Sequence, residues 1–243
     1  MRVVLIRWVC FLAPFLLFPA FCSAQDSTFQ SKHAMILFPY PMYTEKWRSS
    51  IGITIITTPE DITEEQRIRL PAGDFQVLRK ITPTLLAKGQ LIFQFLQNQT
   101  SLGLQYLQPL SGRFFLSAGS DMAYWFGVLK INGFNSKAEG WMNDLHFSAG
   151  FKARNTLLLT LRFGISYNLY YRAVNGHETF SSAVNFYNGE HFTLALEQPF
   201  IKNKHLVLAF STNNQYFIWQ TWSLFYKTDR KIFYPQVSIG LIL

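Results

Sequence analysis

The stretch TLLLTLRFGISYNLYYR, Thr156 to Arg172, decides the fold. One alternate set in it is Leu157, Leu159, Leu161, Phe163, Ile165, Tyr167, Leu169 and Tyr171, all large and apolar or aromatic. The other set is Thr156, Leu158, Thr160, Arg162, Gly164, Ser166, Asn168, Tyr170 and Arg172, mostly small, polar or charged. Successive side chains of a strand point to opposite faces, so a period of two over this length predicts a β-strand with one apolar face. A globular strand usually runs ~5–6 residues. This one is long enough for a tilted membrane crossing with an extension into solvent.

The pattern continues outward in both directions. Upstream, Trp141, Leu145, Phe147, Ala149 and Phe151 alternate with Met142, Asp144, His146, Ser148, Gly150 and Lys152, and only Asn143 breaks the apolar set. At the C-terminus, Val237, Ile239, Leu241 and Leu243 alternate with Gln236, Ser238, Gly240 and Ile242. Shorter versions run through Ile51/Ile53/Ile55, Leu91/Phe93/Phe95, Leu102/Leu104/Tyr106 and Leu206/Leu208/Phe210. No window after Gln25 is continuously apolar over ~19 residues, so no transmembrane helix is expected.

Residues 1–24 read as a separate object, a secretory signal. Arg2 and Arg7 are followed by the apolar run Val9–Phe21, and Cys22-Ser23-Ala24 supplies small residues for cleavage near Ala24. The run is short for a membrane anchor, which needs ~20 apolar residues. Lipidation of Cys22 is disfavoured by Phe21 before it. Cleavage removes both cysteines, Cys10 and Cys22, and with them any disulfide or thiolate chemistry. It leaves 20 basic and 14 acidic residues, a net +6, since Arg2 and Arg7 are the basic residues lost from 22. A basic balance suits anionic lipid, anionic solutes or nucleic acid, and export argues against nucleic acid.

Aromatic residues make up 17% of the chain and charged residues only 15%. Soluble domains average about 25% charged. So much apolar surface with so little charge needs an apolar environment outside as well as inside. Aromatics also gather toward predicted strand ends: Tyr124-Trp125-Phe126, Tyr167 with Tyr170-Tyr171, Phe217 with Trp219, Trp222 with Phe225-Tyr226, and Phe233-Tyr234. Tyr and Trp favour the headgroup region of a bilayer.

With its signal, strand series and terminal amphipathic strand ending at Leu243, the chain resembles bacterial outer-membrane β-barrel proteins. The likeness is one of architecture, and the final residue is Leu where those proteins usually end on an aromatic. It implies an all-β, closed, antiparallel up-and-down transmembrane barrel in the outer membrane. The expected partners are outer-membrane lipid, lipopolysaccharide and the barrel-assembly machinery, with oligomeric state open. Twelve strands are predicted: 49–58, 66–78, 89–97, 100–108, 113–126, 140–153, 155–172, 178–188, 190–199, 204–212, 216–226 and 231–243. Ten is the alternative, because the connections at 79–88 and 98–99 have the wrong lengths for their sides. Residues 25–48 are expected to be a periplasmic lead-in, and 49–243 the barrel.

Three sets of residues invite a functional reading. Asp144, His146 and Ser148 share one strand face. His146-Phe147-Ser148 resembles the His-x-Ser of outer-membrane phospholipases and lipid A deacylases, which implies His146 as base and Ser148 as nucleophile. Those families place Asn after the serine, where this chain has Ala149, and an acid or amide on the next strand. Pairing about residue 154 offers only Thr160 opposite Ser148, with Arg162 opposite His146. A polar lumen network is the plainer account. The second set, Arg67, Arg69, Arg113, Lys152, Arg162 and Arg172, is expected to face the lumen, giving either an anion-preferring pore or a charge-paired, filled interior. On the same parity lie Asp74, Asp121, Asp144 and Glu197. The third, Glu60, Asp61, Glu64 and Glu65, forms an acidic extracellular loop that matches no calcium-binding spacing. No metal site and no cofactor are expected. The leading function is a non-enzymatic channel, structural or binding barrel. A lipid-modifying hydrolase and a soluble periplasmic or secreted ligand-binding barrel are the alternatives.

Overall fold

The computed structural model describes residues 36–59, 69–131, 134–153, 157–201, 204–221 and 229–243. The predicted signal, residues 25–35 of the lead-in, Arg67 and the acidic run Glu60, Asp61, Glu64 and Glu65 lie outside them. Ten strands form a single closed sheet: β1 (Trp47–Thr57), β2 (Arg69–Lys80), β3 (Leu85–Phe93), β4 (Gln97–Pro109), β5 (Phe114–Ile131), β6 (Phe134–Lys152), β7 (Leu158–Asn175), β8 (Glu178–Ile201), β9 (Lys204–Gln215) and β10 (Ile232–Ile242). Every neighbour pair is antiparallel, and β10 closes on β1 from Ser50↔Ile242 to Ile56↔Gln236. Closure pairs the backbone of both edge strands, which an apolar surrounding demands.

The two faces follow the alternation. Ile51, Ile53, Leu102, Phe147, Leu161, Phe163 and Ile239 point outward and are exposed, while His146, Ser148, Thr160, Ser166 and Asn168 point inward and are buried. This is the reverse of a soluble protein, in which burial selects the apolar face. The single break in the outer set of β6 is satisfied locally, because Asn143 Nδ2 donates to Ser120 Oγ at 3.0 Å.

The count of twelve is corrected to ten among the described residues. Segments 178–188 and 190–199 are one strand, β8. Asn188-Gly189 looks like a turn but is a bulge: Ser166 pairs with Gly189 and Tyr167 with Tyr187, so Asn188 is skipped. Gly189 has φ of 151°, a conformation side chains resist, and Gly supplies it. The expected strand at 216–226 is a second correction. Its described part, 216–221, leaves the sheet, turns into the barrel and forms a short 3-10 turn, Trp219–Thr221. The expected loop at 127–139 is instead the long hairpin of β5 and β6, paired from Phe114↔Phe151 to Ile131↔Phe134.

A bulge also reorients β7. Trp141 pairs with Tyr170 but Met142 with Asn168, leaving Leu169 extra. Beyond it the faces exchange, so Tyr171 is buried inside and Arg172 is exposed outside.

Both ends of the interior hold inserted chain. At the end carrying the start of β1 and the end of β10, residues 36–42 fold inward. Met42 is fully buried against Leu78, Leu86, Leu107 and Ile242, and Phe38 meets Phe115 edge-on at 5.3 Å. The buried Glu197 carboxylate accepts the backbone N–H groups of Ile36, Leu37 and Phe38 at 3.2, 2.6 and 2.7 Å. At the opposite end, Phe217 stacks on Tyr171 at 4.6 Å and 7°, and Trp125 lies 5.5 Å from Phe217 and 6.4 Å from Trp219. The skipped Asn188 brackets this segment: its Oδ1 accepts from Phe217 N–H at 2.8 Å and its Nδ2 donates to Phe217 O at 3.0 Å. The lead-in expected at 25–48 therefore ends, over its described part, as a plug inside the barrel.

Candidate functional site: a charged chamber in the lumen

Between the two inserted segments lies a cavity of about 250 Å³. Ile36 and Leu37 line one end of it, and Trp219 and Gln220 the other. Its wall carries Asp74, Lys88, Asp121, Asp144, Arg162 and His191, drawn from β2, β3, β5, β6, β7 and β8. Each is an inward residue of its strand, so the alternation that turns leucine and phenylalanine outward also gathers these charges.

The groups form one network. Lys88 Nζ donates to Asp121 Oδ2 at 2.5 Å, both side chains being buried. Arg162 Nη2 stands 3.6 Å from Asp121 Oδ2 and 3.8 Å from Asp144 Oδ2. His146 Nδ1 is 3.8 Å from Asp121 Oδ2 and 3.7 Å from Asp144 Oδ2, and His191 Nδ1 is 3.5 Å from Asp144 Oδ1. Asp74 accepts from Gln76 Nε2 at 3.1 Å and Gln90 Nε2 at 2.9 Å. Two glycines make room for the imidazoles. A Cβ at Gly119 would collide with His146, and one at Gly164 with His191.

The hydrolase arrangement is not what the structure builds. The register places Ser148 opposite Arg162, His146 opposite Gly164 and Asp144 opposite Ser166, two residues away from the pairing expected. β6 ends at Lys152 and β7 begins at Leu158, a wider separation than the single residue expected, which accounts for the difference. Neither ring nitrogen of His146 has a hydrogen-bond partner. A general base needs its nucleophile at ~2.6–3.2 Å, and the near neighbours of His146 are the two carboxylates instead.

The basic lumen set is largely redistributed. Arg162 lines the chamber. Lys152 stands at the end of β6, half-buried. Arg113 is exposed in the turn before β5. Arg69 is exposed and shares the parity of the outward Pro71 and Phe75, and Arg172 is outside, hydrogen-bonded to Thr179. Lys88, which sequence reasoning passed over, is the second cation of the chamber. The acidic expectation fares better: Asp74, Asp121 and Asp144 line the chamber and Glu197 is buried beneath it. Counting only carboxylates, Lys and Arg, the three carboxylates against Lys88 and Arg162 give the wall a formal charge of −1. Of the two readings of the basic set, an anion-preferring pore or a charge-paired interior, the ion pairs of Lys88 and Arg162 with the wall carboxylates are of the second kind.

No family model and no curated protein matches the chain. Among solved structures it is similar to the translocator domain of the autotransporter NalP from Neisseria meningitidis, at 8% identity and a TM-score of 0.46, covering 82% of this chain and 88% of that one. It is similar to an outer-membrane channel from Pseudomonas putida F1, at 8% identity and a TM-score of 0.47, covering 84% and 98%. It is also similar to Ail, the attachment invasion locus protein of Yersinia pestis, at 7% identity and a TM-score of 0.40, covering 82% and 98%. The chain is thus similar in architecture to outer-membrane β-barrel proteins, while its closed barrel stands on its own strand pairing.

Proposed function

We propose that the protein is a filled outer-membrane barrel, non-enzymatic, whose lumen binds a small charged species rather than conducting solute. The observation that carries this reading is the polar chamber lined at both ends by inserted chain, within a wall whose outer face is apolar. Exposed Ile, Leu and Phe on every side would cost roughly 25 cal/mol per Å² in water, a cost that hydrocarbon removes. Export through the N-terminal signal, insertion by the barrel-assembly machinery and contact with lipid and lipopolysaccharide complete the proposal.

A soluble periplasmic barrel is the competing class, and the outer face argues against it. Fractionation with gel analysis of unboiled and boiled samples separates the two. The expected result is protein in the outer-membrane fraction with a band that shifts on boiling. A soluble, unshifting protein would remove the membrane reading. Liposome swelling then addresses the filled interior: the wild type is expected to admit no sugar, and uptake at porin-like rates would contradict it.

A further inference from the structure

We propose that the lumen binds a divalent transition-metal ion through Asp121, Asp144 and His146. The first observation is geometric. One ligand atom from each of the first three residues lies within 4.8 Å of the others. Around a tetrahedral ion with bonds of ~2.1 Å, donor atoms stand ~3.4 Å apart. Nδ1 of His146 lies 3.7 and 3.8 Å from the two carboxylates, and that of His191 lies 3.5 Å from Asp144. A few tenths of an ångström bring His146 Nδ1 to that spacing from each of the two carboxylates.

The second observation is independent of the acidic residues. His146 has 0% exposure, and neither of its nitrogens has a hydrogen-bond partner. Asp121 Oδ1 is also buried and unpartnered, because Lys88 takes only Oδ2. Such groups are costly to leave unsatisfied, and a metal ion bound at Nδ1 satisfies one of the two imidazole nitrogens. The imidazole is wedged against Gly119, which holds Nδ1 toward the carboxylates.

Charge and donor type narrow the ion. The wall's formal charge of −1 favours a cation. An imidazole with two carboxylates suits Zn²⁺, Cu²⁺ or Ni²⁺, whereas Ca²⁺ prefers ~6–8 oxygens. Arg162 and Lys88 are the competitors: the Arg162 guanidinium stands between Asp121 and Asp144 and must withdraw when metal enters, while Lys88 holds Asp121 Oδ2 and leaves Oδ1 open. Ligand variants and an Arg162 variant should therefore move affinity in opposite directions, which loss of structure alone would not produce.

The site rests on the filled-barrel reading only in taking these side chains as inward, so metal binding and solute passage are measured separately. The experiment titrates Cu²⁺ into the untagged, refolded, metal-stripped protein in detergent and records electron paramagnetic resonance, with boiling-dependent gel mobility certifying the fold of each variant. One equivalent with nitrogen coupling from imidazole is expected. His146→Ala and the near-isosteric Asp144→Asn should each weaken binding ~10–100-fold, His146→Ala removing nitrogen coupling as well. Arg162→Gln should tighten binding several-fold, and His177→Ala, in the exposed turn after β7, should change nothing. Absence of a stoichiometric site, a signal unchanged by His146→Ala or by Asp144→Asn, or weaker binding in Arg162→Gln would overturn the inference.

Discussion

The two inserted segments close the same barrel by opposite chemistry. At the end carrying the start of β1 and the end of β10, residues 36–38 offer backbone N–H groups to one buried carboxylate, Glu197, a charge-assisted grip on a segment with little regular structure. At the far end, residues 217–221 are held by ring contacts among Trp125, Tyr171, Phe217 and Trp219, with Asn188 fixing the backbone. The first plug depends on one carboxylate for its backbone and on the packing of Phe38 and Met42 for its side chains. The second depends on a packed cluster plus a bulge. The comparison teaches that a lumen of this width is filled with whatever the wall presents, and that outward alternation leaves the choice of filling open.

Four predictions test this contrast. Phe217→Ala should have the largest effect, about 3–5 kcal/mol from a cavity in a packed aromatic cluster, measured by urea unfolding in detergent. Glu197→Ala should follow at about 3 kcal/mol, since three buried N–H donors lose a charged acceptor. Hydrogen exchange sharpens the comparison: Glu197→Ala should deprotect the amides of 36–38 and leave Phe217 protected, and Phe217→Ala the reverse. Deprotection of both ends by either variant would show one coupled unit instead of two.

Leu159→Arg comes next, at ~2–4 kcal/mol for a cation on the outer face near the bilayer midplane. Ser166→Arg, one face over and lining the chamber, should be milder by the same unfolding assay. Equal losses would reverse the inward and outward assignment of β7. The smallest effect is expected for Asn188→Ala, about 1–2 kcal/mol for two backbone hydrogen bonds, seen as faster exchange at Phe217 with the fold intact.

The faces of β6 and of β7 up to Asn168 were legible because alternation holds there with Asn143 as its one break, and Asp144, His146, Ser148 and Arg162 all sit where parity puts them. Bulges defeat that rule. The extra Leu169 moves Arg172 outside and Tyr171 inside, and nothing in the local composition announces it. Phe217 and Trp219 alternate as a strand would, because apolar side chains look alike whether they meet lipid or a ring cluster in the lumen. One signal was present: Tyr124-Trp125-Phe126 on a single strand must send an aromatic inward, and an inward aromatic needs a partner. Another was Glu197, inward with no cation on its strand, which required donors from elsewhere. The register between β6 and β7 was not legible, since the length of their connection decides it and side-chain pattern does not.

Planar-bilayer conductance of the refolded protein tests the central claim most directly. The filled barrel predicts no steady current from the wild type, and current from the double variant Glu197→Ala with Phe217→Ala, in which both grips are lost. Steady, ohmic channels from the wild type would contradict the filled barrel outright.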